Sequence, residues 1–194
     1  MFQHFKKKFI GDKSFYHRLL ILVFPIIIQQ GIANFVNLID NVMVGQLGTE
    51  SMSGVAIVNQ LLFVYSLAVF GGVSGASIYG AQFYGKGDHE GVRFTFRFKM
   101  LFTFTATVIA IFILKTWDTN LISLFLTETE SGGNLSYTLS EAEHYLAVMI
   151  IGLIPFGISQ TYASTLRETG ETFSPMIASC IAILMNLFLN YCLI

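Results

Sequence analysis

The strongest constraint on this chain is the stretch Leu19 to Val44, LLILVFPIIIQQGIANFVNLIDNVMV, which carries one acidic residue and no basic one. As a helix rising about 1.5 Å per residue it reaches about 39 Å, more than the roughly 30 Å of a bilayer's hydrocarbon core. Asp40 is then the residue to explain, because a carboxylate inside a spanning segment is costly and marks a functional site by default. Gln30, Asn34, Asn37 and Asn41 recur at i, i+4, i+7 and i+11, so they share one helical face, with Asp40 flanking it. Such a polar seam belongs against protein or water, not lipid. The competing reading is that Asp40 is hydrated at the outer end of the helix, since Gly45 and Gly48 follow closely.

The same pattern repeats along the chain. Hydrophobic residues make up 54% and charged residues 12%, about half the charge that a soluble domain carries. That deficit cannot cover a globular surface, so the fold class is an all-α membrane protein, a polytopic bundle of transmembrane helices. Five spans are expected at about 19–45, 51–84, 92–114, 141–166 and 173–194, after a basic N-terminus over residues 1–18 with Lys6, Lys7, Lys8, Lys13 and Arg18. The first apolar run is expected to be a retained span and not a signal peptide, because it continues into amides instead of a small-residue cleavage site. Pro25 falls in the first turns of that run, where a missing donor costs least. No basic stripe with interleaved aromatics supports nucleic-acid binding. Cys180 and Cys192 lie about 18 Å apart along one helix, too far for a bridge, and no histidine joins them at metal-ligand spacing.

The links and small residues add detail. Gly71 and Gly75 form a GxxxG, and Gly72, Ala76 and Gly80 repeat the spacing, which suits close helix packing more than substrate contact. Asp88 is placed to cap the third span, and Arg93, Arg97 and Lys99 in its first turns are expected to snorkel to headgroups. Lys115 to Ser140 reads as the longest polar link, with a short interfacial helix over Leu121 to Leu126 and a glycosylation-type tripeptide at Asn134. Pro155 permits a kink in the fourth span, and Gln160, Thr161 and Tyr162 after it are cavity-lining candidates. Of the eleven Lys and Arg, all but Lys115 fall on one side if the N-terminus is placed inside, so that side is cytoplasmic by the positive-inside rule.

A second seam sits on the fifth span, where Ser179, Asn186 and Asn190 recur at i, i+7 and i+11. Spans one and five both enter from the inside, so Asp40, Asn186 and Asn190 come to matching depth. One carboxylate with amide oxygens suits a proton or a hard cation such as sodium. Asparagines bonded between helices as packing glue account for the same spacing equally well. Asn59 is a buried-amide candidate of the same kind.

The sequence resembles the multidrug and toxic-compound extrusion (MATE) transporters. The residues that carry this are Pro25 with Gln29 and Gln30, NLIDNVMVGQLG with Asn37, Asp40, Val44, Gly45 and Gly48, then Gly54 and Asn59. GAQFYGKGD with Gln82, Gly85 and Gly87, RETGETFSP with Arg167, Gly170, Thr172 and Pro175, and MNLFLNYCLI with Asn186 and Asn190 complete it. The resemblance implies a secondary transporter in the cell membrane that exports cationic, amphipathic compounds in exchange for protons or sodium, with no cofactor and no enzymatic step. It implies that Asp40, Asn186 and Asn190 form the cation site of the N-terminal lobe. Some members carry a carboxylate where this chain has Asn190. The family builds two lobes of about six helices, so residues 19–194 are expected to be an incomplete N-terminal lobe of a longer product, its partner being the second lobe. The alternatives are a lipid-linked saccharide flippase of the same superfamily, which tends to line its cavity with cations, and a truncated membrane protein that transports nothing.

Overall fold

The computed structural model describes residues 11–46, 48–126 and 135–193, so Lys6, Lys7, Lys8 and Asn134 lie outside the described residues. Among the described residues six helices follow one another: α1 (Lys13–Gly45), α2 (Thr49–Gly85), α3 (His89–Thr116), α4 (Asp118–Ser123), α5 (Leu135–Glu168) and α6 (Phe173–Leu193). Five of them, all but α4, are long and apolar enough to cross a membrane. The expected all-α polytopic bundle is therefore the observed one.

The helix ends follow local chemistry. Asp12 opens α1 by accepting from the Phe15 amide at 2.9 Å, a capping contact that supplies one of the orphan donors of a first turn. The helix consequently starts well before the apolar run, and Pro25 lies in its interior, not in its first turns as expected. Gly48, at φ +121°, turns the chain into α2 in a conformation a side chain would strain. Asp88 caps α3 as expected, its carboxylate accepting from the Gly91 amide at 2.9 Å. Beyond α3 the link is shorter than the sequence suggested. The short helix spans Asp118–Ser123, and α5 begins at Leu135, with Thr138 fully buried in a stretch read as polar link. At the last turn, Gly170 adopts φ +82°. Glu171 then accepts from both the amide and the hydroxyl of Ser174, which holds its carboxyl below the usual value for a glutamate.

The chain divides into two compact units, Ile39–Thr169 and Met1–Leu38 with Gly170–Ile194. The larger is a body of α2, α3 and α5, with α2 packed most extensively on α5 and then on α3. Its core is Val58, Tyr65, Val69 and Val73 from α2, Leu114 from α3, Ile122 from α4, and Ala142, Leu146 and Leu153 from α5. Small residues set the helix spacing. At Gly54 an added Cβ would stand 3.1 Å from the Ala142 amide nitrogen and 3.2 Å from the Thr138 carbonyl oxygen. Gly72 receives the Phe102 ring, and Gly80 receives the Glu168 carboxylate. The Gly72–Ala76–Gly80 row is thus the one that other residues pack against, whereas Gly71 and Gly75 meet nothing within 4 Å.

This difference between glycines is testable by thermal unfolding in detergent. Gly54→Leu should lower stability by about 1–3 kcal/mol through overpacking against backbone that cannot yield. Gly152→Ala, where a Cβ meets nothing within 4 Å, should match or exceed the wild type because alanine is the better helix former. Equal melting points for the two variants would contradict the close approach at Gly54.

Candidate functional site

The smaller unit holds α1 up to Leu38 together with α6. Here Gln29 donates to the Ser179 hydroxyl at 2.6 Å. Gln29, which lies outside the Gln30, Asn34, Asn37 and Asn41 row, thus reaches Ser179 of the α6 seam. Gln30, Asn34, Asn37 and Asn186 are exposed, and Asn190 is half-buried. The Asn190 amide stands 3.4 Å from the Asn186 side-chain oxygen, beyond the usual range for a strong bond.

Asp40 and Asn59 belong to the larger unit, and a residue the sequence did not single out connects them. Tyr145 on α5 donates to the Asn59 side-chain oxygen at 3.4 Å, and the Asp40 carboxylate acts on the same phenol electrostatically. Asp40 is half-buried. No motif surrounds Tyr145, so only the helix packing reveals it. Asp40 thus lies in one unit, while Asn186 and Asn190 lie in the other.

The middle of the larger unit carries a polar column. Thr95, Lys99, Thr103 and Thr107 recur every fourth residue along α3, and all four are buried. A four-residue spacing keeps them on one face, turned toward the neighbouring helices. Thr107 pairs with the Tyr65 hydroxyl at 2.8 Å, and Tyr65 donates on to the Leu153 carbonyl at 3.1 Å. Thr103 pairs with Thr161 at 3.1 Å. Pro155 lies inside α5, two residues beyond the carbonyl that Tyr65 bonds. The carbonyl that this proline leaves without its helical donor is that of Ile151, four residues earlier, so the Tyr65 bond tethers α2 to α5 beside the proline and does not replace the lost one. Gly157 lets this column close, since a Cβ there would press on Thr103, Tyr65 and Thr107.

Lys99 corrects the sequence reading most sharply. It does not snorkel: its side chain is 1% exposed and ion-pairs with Glu168, itself 7% exposed, at 2.5 Å. Glu168 also accepts from Ser164 at 2.9 Å, and Ser164 pairs with Ser77 at 2.7 Å. The driving reason is charge neutralisation, because an acid from the end of α5 is within reach and lipid offers none. A cleft of about 400 Å³ borders Glu168, lined by it and by Ser74, Ser77, Gln160, Ser164 and Arg167 with apolar neighbours. Of the three candidates after Pro155, only Gln160 lines it. Thr161 is wholly buried, and Tyr162 faces outward against Phe96 with ring centroids 5.1 Å apart. Among the described residues no group of three or more His, Cys, Asp or Glu could hold a metal ion.

The MatE family model matches residues 25–192. Among curated proteins, a probable multidrug resistance protein NorM of Thermotoga maritima is 27% identical over 91% of this chain and 36% of its own length. A protein of the same name from Halalkalibacterium halodurans is 27% identical over 90% of this chain and 37% of its own. The probable multidrug resistance protein YoeA of Bacillus subtilis is 26% identical over 72% of this chain and 29% of its own. The chain spans between 29% and 37% of the length of these relatives. No solved structure matches it.

The two tyrosines of this unit should differ in weight. Tyr65→Phe removes a buried hydroxyl with two partners and should cost about 1–3 kcal/mol in detergent unfolding. Tyr145→Phe removes a long, exposed contact and should cost less than about 1 kcal/mol. The reverse order would show that the Asn59 contact is the tighter of the two.

Proposed function

Because this chain belongs to the MatE family and is a multi-pass membrane protein, we propose that it forms part of a secondary transporter that exports cationic, amphipathic compounds by antiport with protons or sodium. The observation that carries the reading is Asp40, the single carboxylate on a predominantly apolar spanning helix. Its weight comes from cost: an acid kept in such a segment marks a functional site by default. Asn186 and Asn190 are proposed as neutral oxygen ligands beside it, and Asn34, Asn37 and Asn59 as the polar lining that keeps the surroundings wet. Pro155 is proposed as the point where α5 bends during transport. The names of the relatives, multidrug resistance proteins, support export of small molecules.

The flippase reading gains no support from Lys99. A cation that recognised a lipid-linked phosphate would face an open cavity, whereas Lys99 is neutralised by Glu168 and 1% exposed.

Asp40→Asn keeps shape and hydrogen bonding while removing the titratable charge. In the full-length transporter it should insert normally and lose gradient-driven dye efflux from vesicles, with Asn186→Ala and Asn190→Ala losing less. Wild-type efflux from Asp40→Asn under both proton and sodium gradients would remove Asp40 from the coupling site.

The proposed orientation places the N-terminus in the cytoplasm. A cysteine at exposed Lys86 should react with an impermeant thiol reagent only after lysis, and one at exposed Asn120 in intact cells. Inverted labelling would reverse the orientation.

A further inference from the structure

The cation site proposed at Asp40 makes no use of the buried Lys99–Glu168 pair. We propose that this pair is an internal gate of the transport cycle, closed in this structure and opened when water reaches Glu168 through the cleft lined by Ser77 and Ser164. The inference rests on the transport reading above and adds two positioning residues to it.

Four observations converge on the pair. The first is energetic. Two charges withdrawn from water are seldom repaid by their mutual attraction, and apolar side chains of similar volume hold helices as well or better. Fastening α3 to α5 is therefore a weak reason to keep a lysine and a glutamate there. The second is incomplete satisfaction. Glu168 Oε1 takes both Lys99 and Ser164, but Oε2 is buried with no hydrogen-bond partner and rests against Gly80. A half-satisfied carboxylate gains hydration when the site opens, so the closed state is not locked.

The third is access. The Ser164 hydroxyl bridges Glu168 and Ser77, and all three side chains border the cleft of about 400 Å³. Water advancing along that cleft meets Glu168 through hydroxyls able to exchange partners. The fourth is position in the chain. Lys99 is two to three turns inside α3, and Glu168 is the last residue of α5. Directly after it the compact unit ends, and Gly170 takes φ +82° in the link to α6. A few link residues that absorb backbone rotation are what a hinge requires. The pair thus clamps the residue from which that link departs. Arg167 also borders the cleft, with Ser74 and Ser77 from α2, and Lys99 on α3 is the cation paired with Glu168.

The test uses the full-length transporter with Cys180 and Cys192 replaced by alanine. Ser74→Cys is the reporter, since Ser74 lines the cleft about one helical turn before Ser77 on α2. Its labelling by an impermeant methanethiosulfonate should rise about tenfold during ethidium efflux, the change from a minor to a dominant open state. In Lys99→Met/Glu168→Leu the protein should reach the membrane at normal levels, stay poorly labelled and lose efflux. Wild-type efflux from that double variant would reduce the pair to a helix fastener and overturn the gate. Labelling of Ser74→Cys that ignores efflux would overturn it independently, even if the double variant failed to insert. Absence of ethidium efflux from the parent protein would instead overturn the transport reading, and efflux by Asp40→Asn would overturn only the Asp40 assignment.

Discussion

A bilayer supplies no hydrogen bonds, and the arrangement of this protein's polar groups depends on that fact. Each hydroxyl, amide or charge on a spanning helix either finds a partner on a neighbouring helix or must face water. In the larger unit α2, α3 and α5 solve the problem by turning their polar residues inward, so that Thr103 meets Thr161, Thr107 meets Tyr65, and Lys99 meets Glu168. The apolar core residues Val58, Val69 and Leu146 fill the space between these contacts. Polarity and packing are therefore interleaved along the same helix faces. This is the inverse of a soluble domain, whose polar groups face out.

Much of the fold was legible because length and hydropathy are sufficient cues for a spanning helix. Asp88 as a cap was equally readable, since an acid before a helix start has one obvious use. Asp12 offered the same signal for α1 but was masked by the basic residues around it, and so Pro25 was placed too near the helix start. The early start of α5 at Leu135 is hidden because Ser136, Tyr137, Thr138 and Ser140 look like link residues while forming regular helical turns.

The site was legible only where one helix sufficed. Asp40 stands out within its own segment. Lys99 did not, because a lysine two to three turns inside a helix fits snorkelling as well as pairing until the end of α5 is known to arrive beside it. The Thr95–Lys99–Thr103–Thr107 spacing was present in the sequence, yet threonine is too common in spanning helices for the pattern to speak alone. Tyr145 depends on three separate segments meeting, which no local pattern encodes. Residues that act through partners on other helices are the ones a single sequence conceals.

The bare α-carbon of Gly80 has a consequence for how this protein can change over generations. The space that Gly80 leaves open is filled by the Glu168 carboxylate, so the two positions form one object from the standpoint of mutation. Alanine at position 80 would have to push the Glu168 carboxylate out of the space it fills, and moving that carboxylate disturbs its pairing with Lys99. Three residues scattered over two thirds of the segment between Ile39 and Thr169 are thereby tied together, so that a change at one alters what the other two tolerate. Drift along the outward-facing surface has no such coupling, and the inner face of the bundle is the slower of the two to change.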